Sequence, residues 1–193
     1  MRFAHTGVDG VLVVDIEPIV DERGFFARAW CPAEFGAAGL HATWVQESVA
    51  YNVQHGTLRG LHFQRSPHAE VKLVRCTRGA VWDVAVDLRP RSTTFREAVG
   101  VELSADNHRS LYIPEGCAHG YLTLTDDVDM RYLMSYPYVP DAASGVRYDD
   151  PMLDVTWPGE ILVVSEKDRS WPPLDNGARA FNDLDEPSVE EPA

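Results

Sequence analysis

The chain has 193 residues, 45% hydrophobic and 24% charged, an ordinary globular composition with length for one domain and a sizeable core. Its formal net charge of −13 leaves no basic surplus to replace the counterions around a nucleic acid, although a few cations in one cleft can still hold a small anion. Cys31, Cys76 and Cys117 fit neither a disulfide framework nor Cys-x-x-Cys metal spacing, and no run approaches the ~20 apolar residues of a membrane helix, so free thiols, no membrane and a cytoplasmic location are expected.

The first residues, Met1 to Gly7, have no apolar core of a signal sequence. Residues 11–14, Val-Leu-Val-Val, open the β-rich runs, and residues 32–38 read as one or two helical turns stopped by Gly36 and Gly39. Further β-rich runs follow at 73–76, 80–88, 98–103, 109–113, 121–124 and 129–134, most of them bounded by Gly, Pro, Asn or Asp. In residues 81–88, Val84, Val86 and Leu88 alternate with Asp83, Ala85 and Asp87, which predicts one packed face and one face lining something polar. Many short strands with almost no helix predict an all-β sandwich or barrel whose ligand sits between the sheets. From Pro172 the chain turns acidic and Pro-rich, so residues 1–171 form the expected domain and 172–193 a flexible tail.

His62 stands between Leu61 and Phe63, with Arg59 three residues before it and Lys72 ten after. An imidazole with cations at hand has the makings of a general base in an anion pocket, which points to proton abstraction on a phosphorylated substrate. A lone histidine would more often be a satisfied core group; the arginine, the lysine and a second histidine shift the reading. His119 lies in a Pro and Gly turn feeding the strand that starts at Tyr121. Tyr132, beside Arg131 in an alternating run, can act as a general acid if its strand turns it inward, though most strand tyrosines simply pack with the hydroxyl at the rim. Asp168, in Ser165-Glu166-Lys167-Asp168, reads from composition as part of a solvated charge cluster, or else as the carboxylate that orients an imidazole.

The motifs Asp21-Glu22-Arg23-Gly24-Phe25-Phe26, Leu58-Arg59-Gly60-Leu61-His62-Phe63-Gln64, Lys72-Leu73-Val74-Arg75, residues 83–89, residues 113–120, Asp149-Asp150-Pro151 and residues 165–168 occur in one order. In these the chain resembles the dTDP-4-dehydrorhamnose 3,5-epimerases and their relatives, small cupin-type jelly-roll barrels acting on nucleotide-linked 4-keto-6-deoxy sugars. The resemblance implies that His62 removes the proton next to the ketone, that Asp168 pairs with it, and that Tyr132 returns a proton on the opposite face. It implies that Lys72 stabilises the enolate oxygen and that Arg59 and His119 contact the sugar or diphosphate. It assigns Arg23 and Lys167 to the phosphate or base side, Gln46 to the nucleobase and Tyr138 to stacking on that base. No metal or cofactor is implied, because the keto group already acidifies the C–H bond, and a homodimer is implied in which an N-terminal strand crosses to the partner sheet, a role residues 11–14 permit.

The chain departs from the family pattern on the nucleotide side. Arg28 replaces a glutamate, Ser48 replaces the asparagine two residues after Gln46, the segment from Gln46 to Gly56 is one residue longer, and Ala143 replaces an acid. The rival reading is a metal-dependent cupin with His62 and His119 as ligands; Gln64 stands where its second histidine belongs, and His68 and Glu70 join only if their loop folds back. A non-catalytic sugar-nucleotide binding protein is the other alternative, against which the intact set of His62, Lys72, Tyr132 and Asp168 speaks.

Overall fold

The structure is a computed structural model that describes residues 1–174. In chain order its elements are β1 (Arg2–His5), β2 (Leu12–Asp15), β3 (Ile19–Asp21), β4 (Gly24–Phe26), α1 (Pro32–Ala37), β5 (Gln46–Asn52), β6 (Thr57–Gln64), β7 (Lys72–Arg78) and β8 (Ala80–Asp87). There follow β9 (Ala98–Ser104), β10 (Ser110–Ile113), β11 (Cys117–Thr123), β12 (Val128–Met134), β13 (Ala143–Gly145), β14 (Val163–Val164) and α2 (Glu166–Arg169). No helix among the described residues is long and apolar enough to cross a membrane.

Two sheets face one another, one ordered β1-β2-β10-β7-β12-β5 and the other β13-β6-β11-β8-β9, with β14 added beside β6. Pairing is antiparallel except for β14 on β6. This is the expected all-β, jelly-roll type of sandwich with two short peripheral helices. Between the sheets Val74, Cys76, Leu111 and Met130 meet Val81, Ala85, Leu103 and Tyr121.

Each sheet is also covered on its outer face. Phe35 of α1 packs with Leu12, Val14, Leu73 and Tyr112 over the first sheet, and Val146, Leu153 and Leu174 pack on Leu61, Phe63, Val84 and Val86 over the second. Strands buried on both faces lose the polar half of their alternation. That is why β8 departs from the sequence reading: its Val84 and Val86 face the outer layer while Val81 and Ala85 face the inner one, and Asp83 and Asp87 are fully buried among them.

The helix predicted at 32–38 is α1, with Pro32 in its first turn; it runs through Gly36 and turns off at Gly39, whose φ is +71°. His119 is not in a turn but in the middle of β11, because Gly116 makes the turn earlier, at φ +81°. Beyond the expected boundary at 171 the described residues continue to Leu174. Leu174 is buried and its N–H bonds the Asp150 carboxylate, so apolar contact and a buried acceptor hold the start of the predicted tail; the rest of it lies outside the described residues. The run at 11–14 pairs as β2 with β1 and β10 of its own chain.

Candidate active site

Strand β6 carries Arg59 and His62, three residues apart, which a regular strand would point to opposite faces. Here Gly60 has φ +138° and the pairing with β11 slips between His119 and Tyr121, so parity changes and both side chains enter one cavity. No other residue fits at Gly60, since an added Cβ would lie 2.6 Å from the Gly120 Cα.

The cavity, about 760 Å³, lies between the sheets and takes in nine of the ten residues expected to act or bind: His62, Asp168, Lys72, Tyr132, His119, Arg59, Gln46, Tyr138 and Lys167. Arg23 is the exception. It sits in the exposed β3–β4 hairpin, ion-paired to Asp21, and does not line this chain's cavity.

The short segment after β14 delivers Asp168. Because Val163 and Val164 pair with Thr57 and Leu58, α2 begins beside β6, and Ser165 caps it by accepting the Asp168 N–H at 3.0 Å. Asp168 is 4% exposed, against the sequence expectation of a solvated cluster, and accepts from His62 Nε2 at 2.6 Å and from the Gly60 N–H at 3.4 Å. Burial alone would raise this carboxyl, but the bonds from His62, Gly60 and Ser165 outweigh it and hold its pKa below the ordinary value. With Nε2 donating to Asp168, the Nδ1 lone pair of a neutral His62 is the one left for a substrate proton.

His119 is paired across β11 and β6 with His62 and bonds both oxygens of the fully buried Asp83 through Nε2, each at 3.0 Å. Burial pushes the Asp83 carboxyl upward, opposed by His119 and Lys72. Lys72 is also engaged: its ammonium lies 3.1 Å from Glu70 and donates to the His62 carbonyl at 3.3 Å, while Glu70 accepts from Gln64 at 2.5 Å. Tyr132 comes from the other sheet, its ring edge-on to His119 at 5.8 Å. Burial pushes its phenol well above the usual value, and the neighbouring Tyr121 and Asp83 add to that, so it stays protonated at neutral pH.

Toward the outside, Gln46 accepts the Tyr138 N–H at 3.0 Å and donates to Ser48 at 3.1 Å. Ser48 thus keeps a bond to Gln46, and Ala143 lines the cavity wall. Arg28 is ion-paired to Glu34 outside the cavity. Lys167 lies over the ring of Trp171, which stands 6.3 Å from His62. Trp171, Asp83, Asn52 and Tyr121 had no assigned role in the sequence reading, and Glu70 entered it only as a metal ligand. Among the described residues no group of three His, Cys, Asp or Glu side chains is arranged to hold a metal, and the two histidines of the metal reading each face a carboxylate instead.

A family model described as dTDP-4-dehydrorhamnose 3,5-epimerase matches residues 5–176. The chain belongs to that epimerase family. The family's protein from Methanothermobacter thermautotrophicus is 45% identical over 176 residues, 90% of this chain and 94% of the relative. The crystal structure of the Elizabethkingia anophelis dTDP-4-dehydrorhamnose 3,5-epimerase superposes with a TM-score of 0.87 at 35% identity, covering 90% of this chain and 96% of that one. A Legionella pneumophila dTDP-6-deoxy-D-glucose-3,5-epimerase, solved in complex with dTDP-4-keto-L-rhamnose, gives 0.84 at 35% identity over 92% and 96%.

The lowered Asp168 pKa makes a signed prediction for this family member. A depressed carboxylate stabilises the fold fully above its unfolded value, roughly 4, and the contribution disappears as pH falls through the lower folded value. Asp168→Asn should therefore unfold more easily at pH 7, by about 1–3 kcal/mol, and lose that deficit toward pH 2. Urea midpoints across pH check it; a deficit that grows on acidification contradicts it.

Proposed function

We propose that this chain inverts C-3, C-5 or both of a dTDP-linked 4-keto-6-deoxyhexose, dTDP-4-dehydro-6-deoxyglucose, through an enolate and without a cofactor. His62 removes the proton next to the ketone, and Asp168 holds its ring and stabilises the imidazolium that forms. Lys72 supplies positive charge to the enolate oxygen, where charge develops. Tyr132 delivers a proton on the other face, as inversion requires, because a single base returning its own proton restores the starting configuration.

The observation that carries this reading is the placement of His62 on β6 of one sheet and Tyr132 on β12 of the other, on opposite walls of one cavity. In this reading Arg59 and His119 contact the sugar or diphosphate, and Gln46, Tyr138 and Lys167 the nucleotide. The cytoplasm, where sugar nucleotides are made, is the expected location.

Arg23 acts in a homodimer. Its hairpin exposes Ile19, Val20 and Phe26 by 72%, 74% and 77%, and edge strand β5 exposes Val49 and Tyr51 by 54% and 47%, apolar surface suited to a second copy. Sedimentation should then give a species of twice the 21.5 kDa chain mass; a 21.5 kDa species at assay concentration contradicts the dimer.

Incubation with dTDP-4-dehydro-6-deoxyglucose in deuterated water tests the reaction. Deuterium should enter at C-3 or C-5, and His62→Asn should lower the rate by at least about a hundredfold with the fold retained. No incorporation from the dTDP sugar or from other nucleotide carriers refutes the epimerase reading.

A further inference from the structure

Glu70 and Lys72 flank Val71, whose backbone is pinned by Ser135: its N–H donates to Ser135 Oγ at 2.8 Å and its carbonyl accepts the Ser135 N–H at 3.0 Å. Val71 and Leu73 pack in the outer layer, so by alternation Glu70 and Lys72 turn inward, and both line the cavity. The Lys72 ammonium lies 3.1 Å from Glu70 Oε1, and the two side chains are only 9% and 6% exposed.

Glu70 is itself held. Its Oε2 accepts from Gln64 Nε2 at 2.5 Å. Gln64, 3% exposed, also donates to the carbonyls of His68 and Pro137, each at 3.1 Å, and accepts the Val139 N–H at 2.6 Å. Bonded to two loops at once, Gln64 fixes the direction of the carboxylate it meets.

The ammonium carries three N–H groups. The His62 carbonyl takes one at 3.3 Å and pairing with Glu70 engages the nitrogen again, which leaves donor capacity for an oxygen in the cavity. A cation this deeply buried is costly without a counterion, and Glu70 supplies one from the protein before a substrate binds. When His62 takes the proton next to the ketone, the C–H bond breaks, its electron pair enters the enolate and negative charge settles on the ketone oxygen. A cation already in place meets that charge without reorganising.

We infer that Glu70, fixed by Gln64, is a positioning residue that holds the Lys72 ammonium where the enolate oxygen forms, and so sets the rate of proton abstraction. The inference rests on Lys72 as the group that meets the enolate, and its test separates the two.

Glu70→Gln keeps the size of the side chain and removes its charge. With dTDP-4-dehydro-6-deoxyglucose in deuterated water, kcat for exchange at C-3 or C-5 should fall about 10- to 100-fold, while KM and the affinity for dTDP alone stay within about threefold of wild type. Wild-type kcat overturns the inference. So does a loss of dTDP affinity that matches the loss of rate, since a packing defect in the pocket moves both. Glu70→Asp, which keeps the charge but falls one methylene short, should lie about 3- to 10-fold below wild type, and it supplies the test if Glu70→Gln does not fold. A Glu70→Asp enzyme as fast as wild type, or as slow as Glu70→Gln, overturns the inference too. Lys72→Met is run alongside: if exchange survives there at the wild-type rate, the enolate role of Lys72 is wrong and the inference falls with it. If exchange drops, adding Glu70→Gln should cost nothing further, and a further loss overturns the inference alone.

Discussion

Everything in the site depends on one buried contact, the 2.6 Å bond between His62 and Asp168, which joins chain segments 106 residues apart. A carboxylate at 4% exposure is costly unless its lone pairs are met, and three neighbours meet them: the His62 ring, the Gly60 amide and the capping Ser165. To place them, β14 must lie parallel to β6 and α2 must start at its end. The segment around α2 brings Trp171 and Lys167 to the cavity, and Leu174 just beyond it packs on the outer face of the second sheet. The same bond fixes which imidazole nitrogen is free.

The cavity differs in character from a simple positive cleft. Lys72 is held by Glu70, His119 by Asp83 and Arg59 by Asn52. A chain of net charge −13 does not leave these donors bare here; it holds each of the three against a partner that fixes its direction. An anionic substrate then meets donors already oriented, which is how fixed groups stabilise developing charge without reorganising. Two facing sheets add what one sheet cannot supply, groups approaching a ring from both sides.

Much of this was legible in the sequence, for identifiable reasons. The runs between 73 and 134 are rich in Val, Leu, Tyr and Ile, so β7 to β12 stood out. Polar β5, the three-residue β13 and the two-residue β14 did not, because each is stabilised by pairing partners distant in sequence, and the hairpin strands β3 and β4 are only three residues each. His119 looked like a turn residue because glycines flank it on both sides, but only Gly116 turns the chain while Gly120 makes room for Gly60 against β6. Asp168 resembled a solvated charge because its partner lies on another sheet strand, and only family resemblance pointed to the pair. Asp83 and Glu70 were visible as residues, but their roles as partners of His119 and Lys72 come from register and loop geometry that no local pattern encodes.

The central claim is that Asp168 sets His62 as a base with its Nδ1 lone pair available. Nitrogen-15 NMR of histidine-labelled protein at a pH where the ring is neutral reads this directly. The account predicts a His62 ring with the proton on Nε2 and none on Nδ1, a preference that weakens in Asp168→Asn. A proton on Nδ1 in the wild-type protein would contradict it.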